Sequence, residues 1–125
     1  MSEGWSDHEL APEPGTVLCP LEDVPDGDGT ELVFGETTSA FRMFVIRRGE
    51  SVWGYVNACP HVRLTINLFP NRFVSPDGER ILCANHGALF EIATGYCVAG
   101  PCAGESLTRV PVGLRDGNVI VTASR

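Results

Sequence analysis

Hydrophobic residues occur along the chain in short runs that are separated by glycine, proline, aspartate and asparagine. No long segment repeats its apolar positions every three or four residues, which is the spacing of an amphipathic helix. Short apolar runs bounded by turn-forming residues are typical of β-strands. The pattern therefore predicts an all-β fold, with strands at residues 16–19, 31–34, 41–47, 51–57, 80–83, 88–91, 107–112 and 118–122.

The run at 41–47 predicts a strand that is buried on both faces. Side chains of a strand point alternately to opposite sides of the sheet. Met43 and Val45 would then share one face, whereas Phe44 and Ile46 would share the other. Since both faces are apolar, we expect this strand to lie inside the molecule.

Turn-forming residues separate several of these strands, in Arg48-Gly49-Glu50, Pro76-Asp77-Gly78 and Arg115-Asp116-Gly117-Asn118. Glycine and asparagine tolerate the positive φ angles that tight turns require. The three segments therefore predict hairpin turns.

The length of 125 residues suits one domain with its own apolar core. Residues 1–15 contain acids and prolines but little apolar content, so we interpret them as an N-terminal arm. Residues 16–125 are expected to form the domain.

Charge and hydropathy restrict the expected partners. A formal net charge of −7 disfavours nucleic acid, whose phosphates need basic patches. No stretch approaches the roughly 18 consecutive apolar residues of a membrane helix, and the N-terminus has neither a basic run nor an apolar segment. We expect a soluble, cytoplasmic protein that binds no membrane and meets a protein partner with a basic docking surface.

The acidic residues concentrate in the first third of the chain, and each one is interpreted as solvating a loop. They are Glu22, Asp23, Asp26, Asp28, Glu31 and Glu36.

Two short strings carry the candidate chemistry. Cys59-Pro60-His61 and Cys83-Ala84-Asn85-His86 each place one thiol and one imidazole within a tight turn. Together they offer two sulfur and two nitrogen ligands, the set that a Rieske-type [2Fe–2S] cluster uses. Zn²⁺ accepts the same ligands, although zinc fingers usually open with paired cysteines and close with paired histidines. Two loop histidines without a metal are the remaining alternative, and the mixed spacing favours the cluster.

Further motifs follow the second string in order: His86-Gly87-Ala88-Leu89-Phe90, Thr94-Gly95 and Gly100-Pro101. With the two Cys–His strings, they make the chain resemble the Rieske ferredoxins over residues 16–122. The resemblance implies stacked antiparallel β-sheets with a small cluster-binding subdomain. It also implies one [2Fe–2S] cluster, ligand loops at 57–66 and 83–90, and a covering loop at 97–104.

The resemblance assigns a role to each of the four ligands. Cys59 and Cys83 would hold the inner iron of the cluster, and His61 and His86 would hold the outer iron.

High-potential Rieske proteins of respiratory chains have a serine and a tyrosine where this chain has Ala88 and Phe90. Hydrogen bonds to the cluster sulfurs stabilise the reduced, more negative state. Because both hydroxyl groups are missing here, we expect a reduction potential of roughly −150 mV rather than +300 mV.

Other positions also differ from known Rieske patterns. Leu64 and Asn85 stand where respiratory proteins have a disulfide between the loops, and its absence agrees with a reducing cytosol. Arg63 replaces a glycine that is usual in the ferredoxins, and the spacer at 69–78 is longer than usual. That spacer is either part of a partner surface or a tolerated surface insertion.

Cys97 and Cys102 flank Val98-Ala99-Gly100-Pro101 in the expected covering loop. Free thiols that pack as small apolar groups are the first interpretation. A local disulfide is the second, and a further metal or redox-sensing role is the third. Cys19 is interpreted as a strand thiol.

The histidine count, the motifs and the length of the chain exclude an oxygenase and a flavin-dependent reductase. The chain has three histidines, and the cluster would use two of them. An oxygenase iron site needs two histidines and a carboxylate, which His8 alone cannot complete. The chain also lacks a Gly-x-Gly-x-x-Gly turn and the length for a flavin domain.

The resemblance therefore implies an electron-transfer protein that is not itself an enzyme. It would carry single electrons from a flavin-dependent reductase to an oxygenase or a similar enzyme. The alternatives are a small non-catalytic subunit of a larger redox enzyme, as in assimilatory nitrite reductases, and a redox-sensing module.

Overall fold

The computed structural model describes residues 8–36, 39–60, 65–67, 69, 71–84 and 87–123. Within these ranges the chain forms ten β-strands and one turn of 3-10 helix at Leu21–Asp23. The strands are β1 (Val17–Pro20), β2 (Gly29–Phe34), β3 (Phe41–Arg48), β4 (Ser51–Val56), β5 (Arg80–Leu82), β6 (Leu89–Glu91), β7 (Cys97–Ala99), β8 (Arg109–Val110), β9 (Val112–Arg115) and β10 (Asn118–Val121). The all-β prediction is confirmed. None of these residues belongs to a helix that is long and apolar enough to cross a membrane.

The strands form three antiparallel sheets, ordered β1-β10-β9, β2-β3-β4-β8 and β5-β6-β7. Strands that follow one another in sequence are paired in β2-β3-β4, in β5-β6-β7 and in β9-β10. The C-terminal part of the chain returns to the earlier strands, because β8 pairs with β4 and β10 pairs with β1. Hairpins therefore supply the local structure, and these two returning strands close the fold.

Strand β3 is the most deeply buried strand and separates two apolar cores. It pairs with β2 on one side and with β4 on the other. Met43, Phe44, Val45 and Ile46 are all fully buried. Phe44 and Ile46 belong to one core, whereas Met43 and Val45 belong to the other. The expectation that both faces of this strand are buried is confirmed.

The two cores differ in composition. The first, here termed the cysteine core, contains Phe44, Ile46, Tyr55, Cys59, Ile66, Phe73, Ile81, Cys83, Ala88, Phe90, Ile92, Cys97, Cys102 and Leu107. The second contains Val24, Phe41, Met43, Val45, Val110, Val119 and Val121. Four of the five cysteines therefore lie in one core.

The three predicted turns are confirmed by their backbone conformation. Gly49 connects β3 to β4 with a φ of 61°. Gly78 has a φ of 77°, and its N–H donates to the Ser75 carbonyl at 2.8 Å. Asp116 and Gly117, with φ values of 54° and 79°, form the two-residue connection between β9 and β10. A pair of residues with positive φ matches the right-handed twist of the flanking strands.

Two strands, β7 and β9, were not predicted, and the predicted strand at 107–112 is divided. Pro111 lies between β8 and β9 and has no N–H to donate to a neighbouring strand. Its carbonyl instead accepts a hydrogen bond from the Thr122 N–H at 3.0 Å. Strand β7 occupies the start of the expected covering loop, which leaves 100–104 as the turn that follows it.

Residues 8–15 of the expected arm lie against the domain. The Gly15 N–H donates to the Val121 carbonyl at 2.7 Å. Ala11 packs on the second core, and the His8 ring meets the Phe41 ring edge to face at a centroid distance of 5.4 Å. This segment therefore covers one end of the second core.

Tyr55 connects β4 to the turn between β6 and β7. Its hydroxyl donates to the Ile92 carbonyl at 2.6 Å. Its ring lies so close to Gly95 that a Cβ at Gly95 would be 2.7 Å from Cε1 of the tyrosine. Burial raises the pKa of Tyr55 to about 12, and the opposing effect of Arg109 is smaller.

We predict that Tyr55→Phe lowers the free energy of unfolding by about 1–2 kcal/mol, because the Ile92 carbonyl loses its partner. The variant should also lack the fall in stability that ionisation of Tyr55 causes at alkaline pH. The unfolded chain releases the tyrosine proton near pH 10, whereas the folded chain holds it to a higher pH. The stability due to Tyr55 is therefore complete below pH 10 and falls as the pH rises towards 12.

Urea unfolding at neutral and alkaline pH measures both effects. Tyr96→Phe is the matched control, because Tyr96 is 45% exposed. Equal losses in the two variants would contradict the role of the buried hydroxyl.

Candidate functional site

The two predicted cysteine ligands lie in the same core. Cys59 follows β4 and Cys83 follows β5 directly. Their exposed fractions are 1% and 0%, and both side chains belong to the cysteine core. The predicted ligands His61 and His86 lie outside the described residues, as do Arg63, Leu64 and Asn85.

Asn57 holds the segment that carries Cys59, and the sequence had indicated only that it ends a strand. Its side chain is 4% exposed. The Oδ1 atom accepts a hydrogen bond from the Ile66 N–H at 2.9 Å. The Nδ2 group donates to Glu31 Oε2 at 2.8 Å and to Asn67 Oδ1 at 2.9 Å. One buried amide therefore joins the two ends of the first loop to each other and to β2.

A closed turn carries the second cysteine. The Cys83 N–H donates to the Ala88 carbonyl at 2.8 Å, and the Gly87 N–H donates to the Cys83 carbonyl at 2.9 Å. The Ala84 N–H donates to the Ile66 carbonyl at 2.7 Å. This last bond joins the second loop directly to the first, so the loops lie side by side.

The long spacer is attached to β2 through a carboxylate. Asp28 Oδ1 accepts hydrogen bonds from the N–H groups of Gly29, Phe73 and Val74 at 2.9, 2.7 and 3.1 Å. Phe73 is 1% exposed and stacks on Phe44 with ring centroids 4.5 Å apart. The spacer is therefore not a plain surface insertion, because Phe73 is part of the cysteine core and Val74 packs against that core.

The start of the spacer has a different environment. Phe69 is 62% exposed. It lines a cavity of about 470 Å³ that also borders Arg72, Phe73 and Ala84. The start of the spacer therefore exposes an aromatic side chain.

The turn at 100–104 packs on the second ligand loop. Gly100 has a φ of 102°, and a Cβ on this residue would lie 2.7 Å from the Cα of Ala88. The Glu105 N–H donates to the Cys102 carbonyl at 2.9 Å, which closes the turn. Glycine is required at position 100 both by its φ and by the close approach of the Ala88 backbone.

Cys97 and Cys102 are neighbouring buried thiols. Each is 1% exposed, and their sulfur atoms are 3.2 Å apart. Cys97 and Cys102 form no disulfide and pack as two thiols in the cysteine core, as the first interpretation expects. Burial raises the pKa of the Cys102 thiol, and its interactions with Cys97 and then with Cys59 raise it further.

The donor chemistry of this core fits a metal that binds thiolates. Two buried sulfur ligands, one on each of two hydrogen-bonded loops, suit a soft or borderline metal centre. Ala88 and Phe90 are fully buried beside them and carry no hydroxyl group. Within the described ranges, no group of three or more histidine, cysteine, aspartate or glutamate side chains is placed to hold a metal ion. A complete set therefore needs the two histidines, which lie outside those ranges.

Comparison with known proteins gives one family match. The model of the Rieske [2Fe-2S] domain matches residues 15–115. No curated protein matches the chain.

Several solved structures have the same fold. The ferredoxin of carbazole 1,9a-dioxygenase from Nocardioides aromaticivorans IC177 is 20% identical and has a TM-score of 0.68, with 89% of this chain and 99% of that chain covered. The Sphingomonas yanoikuyae B1 ferredoxin is 27% identical and has a TM-score of 0.64, with 86% and 96% covered. A protein described as the small subunit of an NADPH nitrite reductase is 17% identical and has a TM-score of 0.63, with 86% and 97% covered. The fold expected from the resemblance is confirmed.

We predict that Asn57→Ala lowers the free energy of unfolding by about 2–4 kcal/mol, because it leaves the buried Ile66 N–H without its acceptor. Urea unfolding of the purified protein measures the loss. Asn71→Ala is the control, because Asn71 is exposed and its Oδ1 accepts only from the Thr30 hydroxyl among the contacts described. The control should change stability by no more than about 0.5 kcal/mol. A comparable loss in both variants would contradict the role assigned to Asn57.

We also predict that Gly100→Ala costs about 2–4 kcal/mol, because it adds a clash with Ala88 to the strain of a positive φ. Gly104→Ala separates the two effects. Gly104 has a φ of 96°, but nothing lies within 4 Å of its Cβ position. This control should lose only about 1–2 kcal/mol. If thermal and urea unfolding give equal losses for the two variants, the turn does not pack on the second loop as described.

Proposed function

The chain belongs to the Rieske [2Fe-2S] domain family, and from this premise we propose that it is a one-electron carrier of the Rieske ferredoxin type. It would accept electrons from a flavin-dependent reductase and pass them to an oxygenase or a similar enzyme. The observation that carries the proposal is the pair of buried thiols, Cys59 and Cys83, on two loops that are hydrogen-bonded to each other. A Rieske cluster, when bound, takes up and releases one electron.

We assign the ligands from the two Cys–His strings. Cys59 and Cys83 would hold the inner iron, and His61 and His86 would hold the outer iron. The burial of both thiols supports this division, since the iron bound by sulfur is then the one shielded from water. The turn at 100–104 supports it further, because it covers the second loop at Ala88.

The apolar surroundings of the site support a low reduction potential. Ala88 and Phe90 place methyl and phenyl groups where a hydroxyl donor would stabilise the reduced state. We propose a potential near the lower end of the Rieske range, about −150 mV.

Charge supports a protein partner with a basic docking surface. The formal net charge is −7. Opposite charges speed diffusional encounters without requiring tight binding, which suits a carrier that must leave one partner for the next. The ferredoxin of carbazole 1,9a-dioxygenase, which shares this fold, supports an oxygenase as the acceptor class.

We propose that the chain has no substrate site of its own and works in the cytoplasm. Cys19, Cys59, Cys97 and Cys102 form no disulfide, which fits a reducing compartment. With two of its three histidines assigned to the cluster, the chain cannot supply the two further histidines of an oxygenase iron site. We also propose that residues 16–125 form the carrier domain and residues 1–15 an arm, since all four assigned ligands lie within 16–125.

A second candidate is a permanent small subunit of a larger redox enzyme. The similarity to a nitrite reductase small subunit favours this alternative. Size-exclusion chromatography of the endogenous protein separates the two, because a free carrier elutes near 13.5 kDa and a subunit travels with a larger chain.

We predict that the anaerobically purified protein is red-brown and gives a rhombic electron paramagnetic resonance signal after dithionite reduction. Cys59→Ala and His86→Ala should each abolish the signal and most of the visible absorption, because each removes one ligand. Cys19→Ala is the matched control. Cys19 is a half-buried thiol on β1, outside the cysteine core, and its loss should leave the signal unchanged.

A protein that holds zinc in place of the cluster would contradict this prediction. A colourless protein that contains one zinc ion per chain after reconstitution with iron and sulfide would mean a structural metal site. The carrier function would then be wrong.

A further inference from the structure

Cys97 and Cys102 place two thiols in contact inside the cysteine core. Their sulfur atoms are 3.2 Å apart, and each residue is 1% exposed. The assigned cysteine ligands are Cys59 and Cys83, so the cluster does not use this pair. Two neighbouring thiols are the reactants of a disulfide bond, and the carrier function by itself does not require them to be neighbours.

Backbone hydrogen bonds hold the two cysteines opposite each other. The Cys97 N–H donates to the Glu105 carbonyl at 2.8 Å, and the Gly104 N–H donates to the Cys97 carbonyl at 3.2 Å. The Glu105 N–H donates to the Cys102 carbonyl at 2.9 Å. A sulfur–sulfur bond is about 2 Å long, so the two sulfurs must approach by about 1 Å, a change that side-chain rotation can supply.

Disulfides in reducing compartments are usually transient and respond to oxidants. We propose that Cys97 and Cys102 form a reversible disulfide when the protein meets hydrogen peroxide, and that this bond holds the turn at 100–104 closed over the second ligand loop. The inference does not rest on the proposed function, because neither cysteine is an assigned ligand.

Peroxide takes up the two electrons that the sulfurs lose. One sulfur attacks an oxygen of the peroxide and the O–O bond breaks, which gives a sulfenic acid and one water molecule that carries the thiol proton. The second sulfur then attacks the sulfenic sulfur. The S–S bond forms as the S–O bond breaks, and the departing hydroxide takes the second thiol proton to give another water molecule. A thiol reductant returns both sulfurs to thiols.

The surroundings of the pair determine how the reaction starts and where it stops. Burial raises the pKa of the Cys102 thiol, so little thiolate is present near neutral pH and the first step is slow. The neighbouring turn residues Pro101, Ala103 and Gly104 are exposed, so a local opening of the turn brings Cys102 to the surface. Once one sulfur is oxidised, the other thiol is already in contact with it. The disulfide should therefore form before the sulfenic acid is oxidised further.

The cross-link would restrain the turn at 100–104 where it packs on the second loop. A Cβ on Gly100 would lie 2.7 Å from the Cα of Ala88, so the two backbones are in close contact. A bond from Cys102 to Cys97 in β7 limits the freedom of the turn to leave Ala88. We expect the hydrogen-bonded N–H groups of Gly104 and Glu105 to exchange with D₂O about tenfold more slowly after oxidation.

Peptide mapping of the whole protein tests the bond directly. The anaerobically purified protein is treated with a small excess of hydrogen peroxide, alkylated without reduction and cleaved after glutamate. The fragment at 92–105 contains Cys97 and Cys102 and no other cysteine. We expect this fragment to lose two hydrogen atoms in mass, to take up no alkylating reagent, and to regain both thiols after dithiothreitol.

Single variants supply the controls. Cys97→Ala and Cys102→Ala each leave one thiol in the fragment, which should be alkylated, and peroxide should then leave the exchange of Gly104 and Glu105 unchanged. Cys19→Ala is the matched control, because Cys19 lies on β1 outside the cysteine core, and it should form the disulfide as the wild type does. Since the wild-type fragment is decisive alone, the test does not depend on the folding of any variant.

Two results would overturn the inference. A fragment that is still alkylated at both cysteines after peroxide, or that carries a sulfinic acid in place of the disulfide, would show that the pair does not react as described. A disulfide that leaves the exchange of Gly104 and Glu105 unchanged would refute its role in holding the turn. The visible and electron paramagnetic resonance spectra decide the carrier function separately, so either proposal can fail while the other stands.

Discussion

Two polar loops enter an apolar core in this protein, and their hydrogen bonds must be made inside the chain because water cannot make them there. An unpartnered buried polar group costs about 1–3 kcal/mol, so a few such groups would exceed the stability of a small domain. Asn57 meets most of this requirement for the first loop, since one amide side chain partners Ile66, Asn67 and Glu31. The Ala84 N–H then joins the second loop to the first. The position of both candidate ligands depends on this small set of bonds.

Strands β2 and β3 hold the side chains that contact the two loops and the spacer. Glu31 lies in β2 and Asp28 comes directly before it, and their carboxylates reach two different parts of the site. Strand β3 lies beside β2 and sends Phe44 into the cysteine core, where its ring stacks on Phe73 of the spacer. The opposite face of β3 builds the second core. A displacement of β3 would therefore disturb both cores at once, which makes the frame around the ligands stiff.

Local patterns predicted the strands well because a strand's burial is encoded at every second residue. The alternation of Met43 and Val45 with Phe44 and Ile46 was sufficient to place β3 between two cores. The contacts of Asn57 could not be predicted, since a polar residue at the end of a strand is ordinarily solvated and its partners are remote in sequence. Strand β7 was missed for a similar reason. Its three residues pair with β6 through a bulge, and the glycine and proline that follow indicated a loop.

The candidate ligands were predictable in a different way, because mixed Cys–His strings are rare and chemically specific. What the sequence did not indicate was that the sulfur atoms of Cys97 and Cys102 would lie 3.2 Å apart, in the same core as Cys59. The sequence also did not indicate which acidic side chains make contacts within the chain. Of the six acids between Glu22 and Glu36, Asp26, Asp28 and Glu31 accept hydrogen bonds within the chain. These carboxylates contribute to the electrostatic field of the molecule but already make contacts within the chain.

The Debye length in physiological salt is about 8 Å, so the electrostatic field of the molecule acts only over the last few water layers of an encounter. Attraction of this kind speeds association without requiring tight binding, which suits a protein that must exchange one partner for another after each electron.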